Sequence, residues 1–105
     1  FYDQKIVSKT STEVLMKTME AASTGKNRLI AQLPENTVVA HKTGTSATQN
    51  GVTAATNDAG IVTLPNEKHY AISVIIAECK EDEATNEKII ADISKKVWDY
   101  FIKRK

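Results

Sequence analysis

Lys42, Thr43, Thr45 and Ser46 bring one ammonium and three hydroxyls together around Gly44, which has no side chain. That set suits a small molecule carrying a carboxylate and a carbonyl. The cation and the hydroxyls would take the carboxylate, and backbone N–H groups beside the glycine would take the carbonyl oxygen. Val38, Val39 and Ala40 precede it, an apolar, partly β-branched run that would seat the segment in a sheet. A plain strand end with a solvated lysine fits the same letters. His41 should point to the opposite face of the strand from Lys42, away from that chemistry. His41, His69 and Cys79 lack metal-ligand spacing, so no metal or other cofactor is expected.

Such a strand needs a sheet and something to cover it. From residue 37 the pattern is an antiparallel meander, with strands at about 37–46, 58–64 and 69–78. Asn50-Gly51 is a strong tight-turn dipeptide, and Pro65-Asn66-Glu67-Lys68 makes the next turn. Asn57-Asp58 should brace the second strand's start through local backbone hydrogen bonds. Tyr70 to Ala77 is apolar on both faces and needs covering from both sides. A helix over about 84–102 follows, with Ile89, Ile90, Ile93, Val97, Trp98 and Phe101 as its buried stripe. Its acidic start and basic end suit the helix dipole.

Ahead of the sheet, Thr10-Ser11-Thr12-Glu13 fits a capping box for a helix whose stripe is Val14, Leu15, Met19 and Ala22. Gly25 should end that helix, and a short helical turn over 27–33 runs up to Pro34. Phe1 to Val7 reads as the tail of a preceding helix and a connector. One long helix covers only one face of the meander, and the early helical segments would cover only part of the other.

Composition fits one domain or part of one: 105 residues, 41% hydrophobic, net charge +1. Scattered charge argues against a nucleic-acid surface, and the basic end Lys103-Arg104-Lys105 suits a helix terminus better than a polyanion. No apolar run is long enough for a membrane span. Cys79 is the single cysteine, so no internal disulfide can form, and it reads as a small hydrophobe.

Lys42-Thr43-Gly44 matches the K-T-G element of class A β-lactamases and penicillin-binding proteins, which carry it alongside S-x-x-K and S-D-N. Arg28, Leu33-Pro34, the Val38–Ser46 strand, Asn57-Asp58-Ala59-Gly60, Leu64-Pro65 and the closing helix stand around it in order. Over nearly all its length the chain resembles the C-terminal part of a class A serine β-lactamase of the extended-spectrum or cephalosporinase-like branch found in Bacteroidetes. The resemblance implies a partial α/β (α+β) fold of the β-lactamase/transpeptidase type. Residues 1–36 would come from the helical domain and hinge, and 37–105 would form the C-terminal half of the α/β domain.

No Ser-Asp-Asn occurs. Ser23-Thr24-Gly25-Lys26 fits S-x-x-K by letter but sits far later than the family's nucleophile. The chain opens on Phe1-Tyr2, as a truncated piece would.

The implied chemistry is acyl transfer from a β-lactam to an upstream serine, then hydrolysis. This segment would supply the Thr45 N–H as one oxyanion donor, and Lys42, Thr43, Gly44, Thr45 and Ser46 as substrate contacts. Many class A enzymes place a further arginine near the position held here by Ala59. A subset supplies it from the position of Arg28, so Arg28 is expected to share the substrate carboxylate with Lys42, while a surface or ion-pairing arginine fits the same letter. In the family the matching sheet has two further strands from the N-terminal end of the chain, so the resemblance implies a bare apolar edge at the Tyr70–Ala77 strand. Expected partners are a β-lactam, the N-terminal part of the same enzyme and, through that edge, a second copy, with no nucleic acid or membrane expected. The parent would be periplasmic or secreted, and the 105 residues alone inactive. A penicillin-binding transpeptidase and a non-catalytic anion- or strand-binding module are the alternatives.

Overall fold

The computed structural model describes residues 6–22 and 24–104. Most of the connector expected at Phe1 to Val7, and Ser23 of the S-x-x-K letter match, lie outside them. Six elements follow in order: α1 (Lys9–Glu20), β1 (Val39–Thr45), β2 (Thr48–Gln49), β3 (Val52–Thr63), β4 (His69–Cys79) and α2 (Glu83–Arg104).

β3 is the centre of an antiparallel sheet, pairing with β1 and β2 on one side and β4 on the other. The expected three-stranded meander therefore gains a two-residue strand, and its middle strand begins at Val52 rather than near residue 58. Asn50 and Gly51 are the cause. Both take positive φ, 52° and 75°, the two-residue hairpin geometry whose twist continues that of the strands. The turn sets Thr48 opposite Thr53, and the same register carries on to His41 opposite Gly60 and Lys42 opposite Ala59.

The sheet's inner face carries Val39, His41, Asp58, Val62, Tyr70 and Val74, all buried. α2 and the 25–33 segment cover it. Leu33, Val39, Val62, Leu64, Tyr70 and Trp98 form one cluster, and Leu29, Val74 and Ile90 form another nearer the candidate site.

On α2 the buried line is Asn86, Ile90, Ser94 and Trp98, spaced by four, while Ile89 and Ile93 are 39% and 41% exposed. The expected stripe was rotated because Asn86 and Ser94 are polar and still face inward. Ser94 can do so because its hydroxyl donates to the Leu29 carbonyl at 2.7 Å. Asp82 caps the helix by accepting the Thr85 N–H at 2.7 Å, and the Thr85 hydroxyl, together with that N–H, holds its carboxyl below the usual range.

α1 also departs from expectation. Ser8, not Thr10, is the cap, its hydroxyl accepting the Ser11 N–H at 3.1 Å. The helix stops at Ala21, so Gly25, at φ 78°, opens the next segment instead of closing this one. Residues 27–33 form successive i to i−3 turns rather than a helix: Arg28 N–H to Gly25, Ala31 to Arg28, Leu33 to Ile30. Val14 and Leu15 of the expected stripe are 60% and 41% exposed.

Uncovered apolar surface recurs at Ile75, 65% exposed in β4, whose outer edge pairs with no strand among the described residues. The radius of gyration, 14.7 Å, exceeds the roughly 13 Å of a compact domain of this length.

Tyr70 supplies a pH-dependent readout of the core. It is buried and stacked on Phe101 at 4.6 Å between ring centroids, and its hydroxyl has no partner. Burial pushes the phenol up to about 12. Between pH 10 and that value the unfolded chain releases this proton and the folded one keeps it, so stability present below pH 10 is lost as pH rises. The slope should approach 1.4 kcal/mol per pH unit, to order of magnitude. Tyr70→Phe should remove that slope while leaving the urea midpoint at pH 7 nearly unchanged. An identical alkaline decline in both proteins would exclude Tyr70 as its source.

Candidate functional site

The strand that carries the candidate site has one bonded edge and one open one. Ser46 N–H donates to the Ala55 carbonyl at 2.9 Å, and Thr63 N–H to the Val38 carbonyl at 3.0 Å. Antiparallel pairing alternates, so the even-numbered residues between them bond inward to β3, and Thr43 and Thr45 turn their N–H and C=O groups to the open edge. The Thr45 N–H is thereby available to an incoming acceptor. Lys42 is exposed, and its ammonium bends back onto the Thr43 carbonyl at that same edge.

The side chains of β1 divide between two faces. Lys42 branches to the outer face, where it borders a depression with Met19, Ala59 and Ser73. Thr43 and Thr45 branch to the inner face with His41. The Thr43 hydroxyl meets that of Thr24 at 3.1 Å. Ser46 does not offer a free hydroxyl: it accepts the Ala55 N–H at 2.8 Å and donates to the Ala47 carbonyl at 3.3 Å. Gly44 has a packing reason as well as openness to a ligand. A Cβ there would lie 2.8 and 2.9 Å from the Asn57 amide atoms on the neighbouring strand.

Arg28 is 3% exposed, and all five of its N–H donors are engaged within the protein. Nε donates to Glu87 at 3.0 Å. Nη1 reaches the carbonyls of Gly44 at 3.1 Å and Asn57 at 2.8 Å, a pair already facing each other across β1 and β3. Nη2 donates to the Thr45 hydroxyl at 2.6 Å and to Glu83 at 3.4 Å. A buried guanidinium requires such partners, because desolvation without them is prohibitive. In this structure Lys42 and Arg28 are therefore not two free cations side by side. They approach β1 from opposite faces, and a carboxylate could take the Arg28 fork only by displacing a protein partner. What Arg28 does in this structure is fix the Thr45 hydroxyl.

Behind Arg28 stands a pair not expected from the sequence. His41 Nδ1 donates to Asp58, 3.1 Å from each carboxylate oxygen, with both side chains buried. Asp58 also accepts the Leu29 N–H at 3.3 Å. Its bonds are therefore long-range ones in mid-strand, not local bracing of a strand start. His41 does lie on the opposite face from Lys42. The Asn50-Gly51 register held the signal: it sets His41 opposite Gly60 and hence diagonal to Asp58 on one face. Gly60 leaves the room, since a Cβ there would stand 2.8 Å from the His41 Cβ.

Comparison with known proteins gives this geometry a context. A family model described as the Beta-lactamase enzyme family matches residues 1–101. β-Lactamase VEB-1 of Pseudomonas aeruginosa is 52% identical over 100 residues, covering 95% of this chain and 33% of its own length. The crystal structure of TLA-1 extended-spectrum β-lactamase superposes with a TM-score of 0.94 at 54% identity, covering 96% of this chain and 37% of that one. A class A β-lactamase from Bacteroides cellulosilyticus DSM 14838 gives 0.87 at 44% identity, covering 92% and 36%. The chain thus spans about a third of the length of these relatives, and the partial β-lactamase-type fold is the one expected. On the family match and the shared fold, the chain belongs to the β-lactamase enzyme family.

Proposed function

We propose that this segment is the substrate-binding lip of a serine β-lactamase of class A, with the nucleophile and general base supplied by other parts of a longer protein. The observation that carries the reading is the state of Thr45. Its N–H faces the open edge while its hydroxyl is held by Arg28 at 2.6 Å, three residues from the exposed Lys42. The Thr45 N–H serves as an oxyanion donor for the lactam carbonyl. Lys42, whose ammonium bends back to the open edge, supplies the charge for a substrate carboxylate lying along that edge, where the Thr43 and Thr45 hydroxyls reach it from the inner face as hydrogen-bond partners. Arg28 adds positive potential from behind, and Gly44 keeps the strand close to the substrate.

The rest of the same longer protein is the proposed partner for the bare edge of β4 and the exposed side chains of Ile75, Ile89 and Ile93. A β-lactamase meets its substrates outside the cytoplasm, which supports a periplasmic or secreted setting. No helix among the described residues is long and apolar enough to cross a membrane.

Nitrocefin distinguishes the possibilities. The purified 105 residues should show no turnover, and the longer protein containing them should hydrolyse it with a burst of acyl-enzyme. A stable, unhydrolysed adduct in the longer protein would mean a transpeptidase instead. Turnover by the isolated chain would overturn the division of labour proposed here.

A further inference from the structure

We propose that Asp58 is a positioning residue for the substrate-binding lip, acting through the turn that carries Arg28. The inference rests on the proposed function for its catalytic consequence, though not for its geometry.

The 25–29 turn is held to the sheet at a few definite points. Asp58 accepts the Leu29 N–H at 3.3 Å, one residue after Arg28. Across the same peptide region, the Leu29 carbonyl accepts the Ser94 hydroxyl from α2 at 2.7 Å. Leu29 is therefore clamped from both sides, by β3 through its N–H and by α2 through its carbonyl. Its side chain is fully buried against Val74 and Ile90. His41 orients the Asp58 carboxylate by donating to it from β1, and Gly25 lies directly on this pair. A Cβ at Gly25 would stand 3.1 Å from the His41 Cε1 and 3.5 Å from the Asp58 Oδ2, and would collide with the Thr43 methyl.

The consequence runs forward along the chain. With Leu29 and Gly25 fixed, the Arg28 side chain leaves the turn at a set angle and meets Glu87, two strand carbonyls and the Thr45 hydroxyl together. Five donors in a rigid fork tolerate little displacement of their base. No hydrogen bond joins Asp58 to a group assigned to substrate, although Thr43 stands opposite it across the strands, and the bonded route from Asp58 runs through the Leu29 N–H and Arg28 to the Thr45 hydroxyl. A turn loosened from Asp58 would let the Thr45 hydroxyl rotate and weaken the grip on the substrate carboxylate.

A double-mutant cycle in the longer protein tests this. Asp58→Ala should lower kcat/KM for a carboxylate-bearing cephalosporin about tenfold, mainly through KM, when Thr45 is present. In a Thr45→Val background the further loss should be under about twofold, because coupled residues are not additive. Asp58→Asn, which still offers an acceptor to Leu29, should recover most of the loss. Equal losses in both backgrounds overturn the proposal.

Proton exchange at the Arg28 Nε, followed by NMR, gives a readout independent of turnover. It should quicken in Asp58→Ala and return close to the original rate in Asp58→Asn. Should Asp58→Ala fail to fold, Ser94→Ala releases the other side of the clamp and should quicken the same signal. Unchanged exchange in whichever variants fold refutes the positioning role. If the longer protein hydrolyses no β-lactam, the functional reading falls while the exchange measurement still decides the positioning.

Discussion

Replacing Lys42 by alanine in the longer protein should lower kcat/KM for nitrocefin by about 10- to 10²-fold, the loss expected for one charged hydrogen bond to a substrate carboxylate. The residue is exposed and, among the described residues, its ammonium is bonded to the neighbouring carbonyl of Thr43, so the fold has little stake in it. The urea midpoint should stay within about 0.5 kcal/mol of the original, as for an ordinary surface substitution. Separation of the two readouts is the point of the experiment. Arg28 cannot substitute for the lost charge, because its donors are already committed on the other face of β1. Unaltered hydrolysis in Lys42→Ala would sink the assignment of the lip and favour a non-catalytic anion-binding edge.

Arg28→Ala should behave in the opposite way, with a large loss of stability accompanying any loss of turnover. Removing the guanidinium strips Glu87, only 17% exposed, of its ion-pair partner and leaves the Gly44 and Asn57 carbonyls each one bond short. Breaking a buried pair by deleting one member typically costs about 3–5 kcal/mol. The Glu83 contact is 3.4 Å long on a side chain 65% exposed, so it contributes little to that figure. Arg28→Lys should recover only a minor part, since an ammonium has three donors and no planar fork to span both strand carbonyls and Thr45. Equilibrium unfolding in urea gives the answer. A midpoint indistinguishable from the parent in Arg28→Ala would show that the network is decorative.

The two substitutions also mark what could and could not be read from the chain. Lys42 on a strand ahead of a tight Asn50-Gly51 turn was legible, because both the local pattern and the turn chemistry are short-range signals. The partners of Arg28 were not: Glu83 and Glu87 lie more than fifty residues away and look like ordinary acidic residues at a helix start. The His41–Asp58 pair is not legible strand by strand, because it is a cross-strand diagonal that exists only in the register the Asn50-Gly51 turn sets. On α2, hydrophobicity pointed to Ile89 and Ile93, whereas Asn86 and Ser94 occupy the inward line. Periodicity fixes the spacing of a stripe but not its phase once polar residues take part in it. On α1 the expected stripe is exposed at Val14 and Leu15, because spacing marks an apolar face without saying whether the described residues cover it.

Gly44 carries one further consequence. Because the Asn57 amide occupies the space a Cβ would need, a larger residue at 44 is admitted once that side chain turns aside or is replaced by a smaller one. How readily the lip gives up its glycine is therefore set by the rotamer and size of a residue on the adjoining strand.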